Sequence, residues 1–214
     1  MPARRVKICG LSTADALSAA LDAGADLVGF VHFPKSPRHV GLDEGARLSM
    51  QAKGRAERVL LLVDPDDALV AASVAAIDPD LIQLHGGETP ERIAEIRRTS
   101  GRPVMKAIGV ADAKDLAWIP AYAGAADSIL LDARPPTGAD LPGGNGQAFD
   151  WDILSGVDLP VGLMLSGGLT PENVGEALRR TGVTAVDVSS GVEGKPGLKD
   201  PDRIRAFLAA VRKA

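Results

Sequence analysis

The chain has 214 residues, 45% of them hydrophobic and 24% charged, and its formal net charge is −4. This balance predicts one globular domain, residues 1–214. It excludes a general nucleic-acid binder, which needs a wide basic surface, and a membrane protein, because no apolar run reaches the ~18 residues of a span.

Eight apolar runs of strand length recur in chain order, at 5–9, 26–31, 59–63, 81–85, 104–109, 128–132, 161–166 and 185–189. Each is bounded by Gly, Pro, Asp or Ser, as strands usually are. Helical spacing falls between them. Ala16, Leu17, Ala20 and Leu21 share a face in 13–23, as do Ile93 and Ile96 in 89–98. Val174, Ala177 and Leu178 do so in 171–179, and Ile204, Phe207, Leu208 and Val211 in 200–212. Thr13, Asp66, Thr89 and Thr170 stand where N-caps belong, with Pro90 and Pro171 in first turns. Gly24, Gly101 and Gly182 follow helices.

Alternating strands and helices mean parallel strands with helical crossovers. Eight units average about 27 residues, near the minimum for a strand, a helix and two turns. The predicted fold class is therefore α/β, a single-domain (βα)8 TIM barrel, with a doubly wound open sheet as the alternative. The first βα turn, Cys9-Gly10-Leu11-Ser12-Thr13, has no G-x-G-x-x-G and weakens the dinucleotide version of that alternative. Slack is concentrated after the second strand (33–41) and the sixth (133–149), where function usually resides on such a scaffold. Only 3% of residues are aromatic, so Ala, Val, Leu and Ile must build the core. The one cysteine excludes an internal disulfide and fits a cytoplasmic setting. No signal peptide and no metal site are expected.

A parallel barrel places its site at the C-terminal ends of the strands. Ser166-Gly167-Gly168 ends strand seven and Ser189-Ser190-Gly191 ends strand eight. Glycine lets backbone N–H groups approach an anion and serine adds hydroxyl donors; one such loop alone favours a plain turn, but two adjacent ones at these strands read as phosphate-binding. Gly143-Gly144-Asn145-Gly146, in the sixth loop, is either a cover for the phosphate or a lid. Cys9 is a small buried hydrophobe or a thiolate base, the latter needing nearby positive charge. Asp132 is a loop cap or a general acid. His85 is structural or functional. Arg38 is a surface charge or a bidentate clamp for a carboxylate. Asp64, before Pro65 and Asp66, reads as structural. Side-chain period two sets Lys7 on the face of Cys9, and Asp187 on that of Ser189. In a closed barrel strand eight adjoins strand one, so Lys7 and Asp187 are predicted to pair beneath the site.

Taken in order, Lys7-Ile8-Cys9-Gly10, Ser36-Pro37-Arg38, Gln83-Leu84-His85-Gly86, Leu131-Asp132, the Gly143–Gly146 run with Phe149-Asp150-Trp151, Ser166-Gly167-Gly168-Leu169 with Pro171-Glu172-Asn173-Val174, and Asp187-Val188-Ser189-Ser190-Gly191-Val192-Glu193 resemble the phosphoribosylanthranilate isomerase family of tryptophan biosynthesis. The resemblance covers essentially the whole chain. It implies a (βα)8 barrel without a cofactor that isomerises N-(5′-phosphoribosyl)anthranilate to the 1-deoxyribulose 5-phosphate product, an Amadori rearrangement. It implies Cys9 as general base and Asp132 as general acid. Arg38 would meet the anthranilate carboxylate, His85 would bind substrate, and Asp187 would lie near the sugar. Gly144, Gly146, Ser166, Gly167, Gly168, Ser189, Ser190 and Gly191 would hold the phosphate. Asn145 departs from the pattern, which has Thr or Ser there. The implied partner is a small phosphosugar, with no nucleic acid or membrane; the expected state is a monomer, with a dimer as the alternative. Rival readings are a two-substrate aminoimidazole-ribotide isomerase, which Cys9 disfavours, a thiamine-phosphate synthase, an aldolase using Lys106 as an interior Schiff-base lysine, and a silent phosphosugar-binding regulator.

Overall fold

The computed structural model describes residues 4–134, 143, 148–154, 157 and 163–214. Eight parallel strands close into a barrel in chain order: β1 (Arg5–Cys9), β2 (Leu27–Val31), β3 (Glu57–Leu62), β4 (Leu81–Leu84), β5 (Val104–Val110), β6 (Ser128–Ala133), β7 (Met164–Leu165) and β8 (Ala185–Val188). The open-sheet alternative is thereby excluded. β8 pairs with β1, and that register sets Lys7 opposite Asp187.

Strand alternation divides the side chains into two sets. Leu27, Val59, Leu81, Met105, Ala107, Leu130, Met164 and Ala185 fill the barrel floor. Lys7, Gln83 and Asp187 are the buried polar groups above them. Cys9, Val31 and Leu61 cluster at the mouth, with Phe33 and Val63 against them. The other parity, including Val6, Ile8, Phe30, Leu60, Ile108 and Leu131, packs against the helices in a large aliphatic core. Burial at about 25 cal/mol per Å² of apolar surface is the main force holding strands to helices.

The helices are α1 (Ala14–Asp22), α2 (Leu42–Ala52), α3 (Asp67–Ile77), α4 (Pro90–Ser100), α5 (Ile119–Ala123), α6 (Val174–Thr181) and α7 (Pro201–Lys213). Thr13, Asp66 and Thr89 cap α1, α3 and α4 by accepting from the N–H groups of Ala16, Leu69 and Arg92. Gly101 and Gly182 end α4 and α6 in the left-handed region.

Three expectations are corrected. The helix after β7 begins at Val174, not at Pro171, and its N-cap position is Asn173. The Asn173 amide is otherwise engaged: its oxygen accepts from the Thr170 N–H and its nitrogen donates to the Gly168 carbonyl. An Asn side chain that bonds local backbone competes with the helix in this way. The crossovers flanking β6 are also irregular. A 3₁₀ helix (Ala113–Trp118) precedes the short α5, and between β6 and β7 the described residues form only a 3₁₀ turn (Trp151–Leu154). Finally, Lys106 is not interior. It has the helix-side parity of Val104 and Ile108, and its ammonium donates to the Gly86 carbonyl and to Glu88, both at 2.6 Å. A lysine buried in an ion pair outside the barrel cannot be a Schiff-base nucleophile within it.

Candidate active site

The strand ends surround a cavity, open to solvent and lined by Cys9, Arg38, Gln83, His85, Asp132, Gly143, Ser166–Gly168 and Asp187–Ser190, with an apolar side of Val31, Phe33, Leu61 and Val63. Cys9, His85, Asp132, Arg38 and Asp187, far apart in sequence, thus meet in one cavity.

Cys9 ends β1, buried beside Lys7. The Lys7 ammonium donates to Asp187 at 3.0 Å, both side chains fully or nearly fully buried, as strand parity predicts. Ser166 donates its hydroxyl to the other Asp187 oxygen at 3.1 Å. Gly29 is the β2 partner of Cys9, and a Cβ there would lie 2.9 Å from the Cys9 sulfur and 3.3 Å from Lys7 Cε. Its missing side chain is the space the thiol and the ammonium stem occupy. Burial pushes the Cys9 thiol above its ordinary pKa, Lys7 pulls it back and Asp187 adds to the rise. For Lys7, burial alone would lower the pKa, but Asp187 and then Cys9 outweigh it, and the ammonium stays charged. The thiol is not lowered in the free protein, because desolvation, with Asp187, exceeds the attraction of Lys7 and the smaller one of Lys199.

Asp132, with the inward parity of Leu130, is the penultimate residue of β6. His85 Nε2 stands 3.2 Å from its Oδ2, and the Gln83 amide nitrogen is 2.9 Å from His85 Nδ1. If the amide donates to Nδ1, the ring proton sits on Nε2 and faces the carboxylate. Gly143 lies over this pair: a Cβ there would come within 2.6 Å of both the carboxylate and the imidazole. Asp64 has the structural role predicted for it, accepting from the Gly87 N–H at 2.7 Å.

Arg38 lies buried in the second loop, its stem against Gly10. A Cβ on Gly10 would meet Arg38 Cδ at 2.8 Å, and Gly10 has φ +75°, which glycine adopts without strain. Arg38 Nε and Nη2 donate to the two Glu193 oxygens at 2.7 and 3.0 Å. Glu193 begins a hairpin, β9 (Glu193–Lys195) and β10 (Leu198–Lys199), and the Lys199 ammonium donates to it at 2.6 Å. Burial alone would raise the Glu193 carboxyl, but Arg38 and Lys199 hold it below the usual range; burial lowers Lys199. The two glycine–serine loops touch, because Gly191 packs on the Leu169 carbonyl. Ser190–Val192 is a 3₁₀ turn directly after β8. Of the residues expected at the phosphate, Ser166, Gly167, Gly168, Ser189 and Ser190 line the cavity, while Gly191 packs behind them. Gly144, Gly146 and the divergent Asn145 lie outside the described residues.

Sequence reasoning gave no role to Gln83, Glu193, Lys199 or Asn173. Glu193 and Asn173 stood in quoted motifs, but their partners, Arg38 at one end and the Gly168 carbonyl at the other, become visible only in the fold. Among the described residues no cluster of three or more His, Cys, Asp or Glu could hold a metal ion, and no helix is long and apolar enough to cross a membrane.

A closed parallel barrel with its ionisable groups gathered at the C-terminal mouth defines the class, a (βα)8 barrel of the enzyme type. The sequence model of the family described as N-(5′-phosphoribosyl)anthranilate (PRA) isomerase matches residues 6–210. The N-(5′-phosphoribosyl)anthranilate isomerase of Azorhizobium caulinodans is 61% identical over 209 residues, 98% of this chain and 92% of that protein. That of Rhodopseudomonas palustris strain HaA2 is 60% identical over 207 residues, 97% of this chain and 95% of that protein. The phosphoribosyl anthranilate isomerase structure from Thermotoga maritima superposes with a TM-score of 0.88 at 35% identity, covering 99% of this chain and 100% of that one. A phosphoribosyl anthranilate isomerase in complex with reduced 1-(o-carboxyphenylamino)-1-deoxyribulose 5-phosphate superposes at 0.83 with 32% identity, over 99% and 100% of the two chains. The chain belongs to the phosphoribosylanthranilate isomerase family.

Proposed function

We propose that this chain converts N-(5′-phosphoribosyl)anthranilate to 1-(2-carboxyphenylamino)-1-deoxyribulose 5-phosphate by general acid–base catalysis, a step of tryptophan biosynthesis. The observation that carries the reading is that the Cys9 thiol and the Asp132 carboxyl, from strands well separated around the ring, open on one cavity. Asp132 gives a proton to the furanose oxygen. The C1′–O bond breaks and the anthranilate nitrogen's lone pair forms an iminium ion. That cation acidifies the C2′ proton, the Cys9 thiolate removes it, and the resulting enolamine takes a proton at C1′ and loses its C2′ hydroxyl proton to solvent to become the ketone. The Lys7 charge beside Cys9 favours the thiolate this step needs. His85, between Gln83 and Asp132, faces the substrate and orients the acid.

Arg38 meets the anthranilate carboxylate and Asp187 lies beside the sugar. The backbone of Gly167, Gly168 and Gly191, the hydroxyls of Ser166, Ser189 and Ser190, and the Gly144 and Gly146 segment take the phosphate. Support for this order is the placement of Arg38 on one loop of the cavity and the touching glycine–serine loops on another. The relative in complex with a reduced carboxyphenylamino-deoxyribulose phosphate accords with it. A silent phosphosugar-binding regulator would need neither Cys9 nor Asp132 in the cavity.

We assign the whole chain to one cytoplasmic barrel domain acting as a monomer. Few large apolar side chains are exposed among the described residues, which supports the monomer; one related structure is described as monomers generated from a dimeric enzyme. The test is incubation of the purified chain with N-(5′-phosphoribosyl)anthranilate while the fluorescence of the substrate is followed. Loss of fluorescence with product formation is expected, and a stable signal would refute the assignment.

A further inference from the structure

Glu193 and Lys199 form a buried ionic strut that reaches from the second loop to the eighth. Glu193 takes the Nε and Nη2 protons of Arg38 on its two oxygens, at 2.7 and 3.0 Å. Lys199, its side chain fully buried, donates to Glu193 at 2.6 Å and to the carbonyl and hydroxyl oxygens of Ser189 at 3.0 and 3.1 Å. The Gly197 N–H closes the hairpin on Glu193 at 3.1 Å. The hairpin abuts the second loop itself, because Gly197 packs on the Pro37 carbonyl. Neither Glu193 nor Lys199 is among the residues that line the cavity.

An arginine has several rotatable bonds, and an unsupported guanidinium samples many orientations. A bidentate pair with a buried carboxylate fixes its plane. We infer that Glu193, itself anchored by Lys199, is a positioning residue that aims Arg38 at an aryl carboxylate and so sets the preference for a carboxylate-bearing substrate. The strut ends on Ser189, so the clamp for the aromatic end and the loop for the phosphate end are held at a fixed separation. A ligand whose two anionic groups match that separation is bound without reordering either loop. The inference rests on reading Arg38 as the carboxylate clamp.

The experiment compares kcat/KM for N-(5′-phosphoribosyl)anthranilate and for the aniline analogue that lacks only the carboxylate. The readout is the ratio of the two, which general damage to the fold does not move. Glu193→Gln keeps the shape but removes the charge, and the ratio is expected to fall about ten- to a hundredfold, mainly through KM, as for a lost charge-assisted hydrogen bond. Glu193→Asp keeps the charge but shortens the reach, and it carries the same test should Glu193→Gln not fold. An unchanged ratio in the folded variant overturns the inference. Arg38→Ala separates the two levels of the argument. If it collapses the ratio while the Glu193 variants do not, Arg38 is the clamp and Glu193 does not position it. If it leaves the ratio unchanged, the reading of Arg38 falls and the inference with it.

Discussion

At the scale of single residues, the site is governed by one buried cation between two acids. Among the described residues Lys7 is one of the largest fully buried side chains, and it serves Asp187 and Cys9 together. Its removal by Lys7→Met leaves Asp187 buried without a counter-charge, and a loss of about 3–5 kcal/mol in stability is expected from denaturant unfolding. The same change removes the larger of the two attractions, from Lys7 and from Lys199, that favour the thiolate. The Cys9 pKa, already raised by burial, then rises further, so the limb of kcat/KM that increases with pH moves to higher pH. A limb that stays in place or moves lower would show that Lys7 does not act on the base. The Lys7–Asp187 pair was legible because it needs only strand parity and closure between β8 and β1. The direction of the Cys9 shift was not, because it is the difference between desolvation and attraction, and both depend on packing. Glu193 was illegible for a related reason: an acid five residues beyond a strand carries no sign of the loop it will face.

At the scale of elements, short-range rules sufficed where the chain makes ordinary caps. The Asp66 side chain accepts from the Leu69 N–H at 2.8 Å at the start of α3, away from the cavity. Asp66→Ala is expected to lower stability by about 1 kcal/mol and leave turnover as it is; a change of less than a few tenths in thermal or denaturant unfolding would contradict the cap's contribution. The same reading misplaced the start of α6. Thr170 and Pro171 carry the local signals of a helix start, yet Asn173 bonds Thr170 and Gly168 and holds residues 171–173 as a turn. The consequence is functional, because the Gly168 carbonyl is tied back at the edge of the cavity and the loop after β7 is fixed in shape. The slack after β2 became the Arg38 loop, whose end is bridged to β2 where Val31 pairs with His39.

At the scale of the whole molecule, closure of eight strands is what turns dispersed residues into a site. Cys9 and Asp132 are 123 positions apart in sequence and line one cavity only because β1 and β6 belong to the same ring. Strand count and spacing foretold the ring, and parity foretold the inward pairing of Lys7 with Asp187, although Lys106 was wrongly placed inside. The interlock between the second loop and the hairpin after β8 was not foretold, since it depends on two irregular segments meeting in space. The central claim is that this ring presents Cys9 as base and Asp132 as acid to one substrate. Its most direct test is the kcat of Cys9→Ala and Asp132→Ala with N-(5′-phosphoribosyl)anthranilate, measured on variants shown to be folded. Each is expected to fall about a hundredfold to ten-thousandfold, the usual contribution of a general acid or base. Turnover close to that of the unmodified protein in either variant would contradict the role given to that residue.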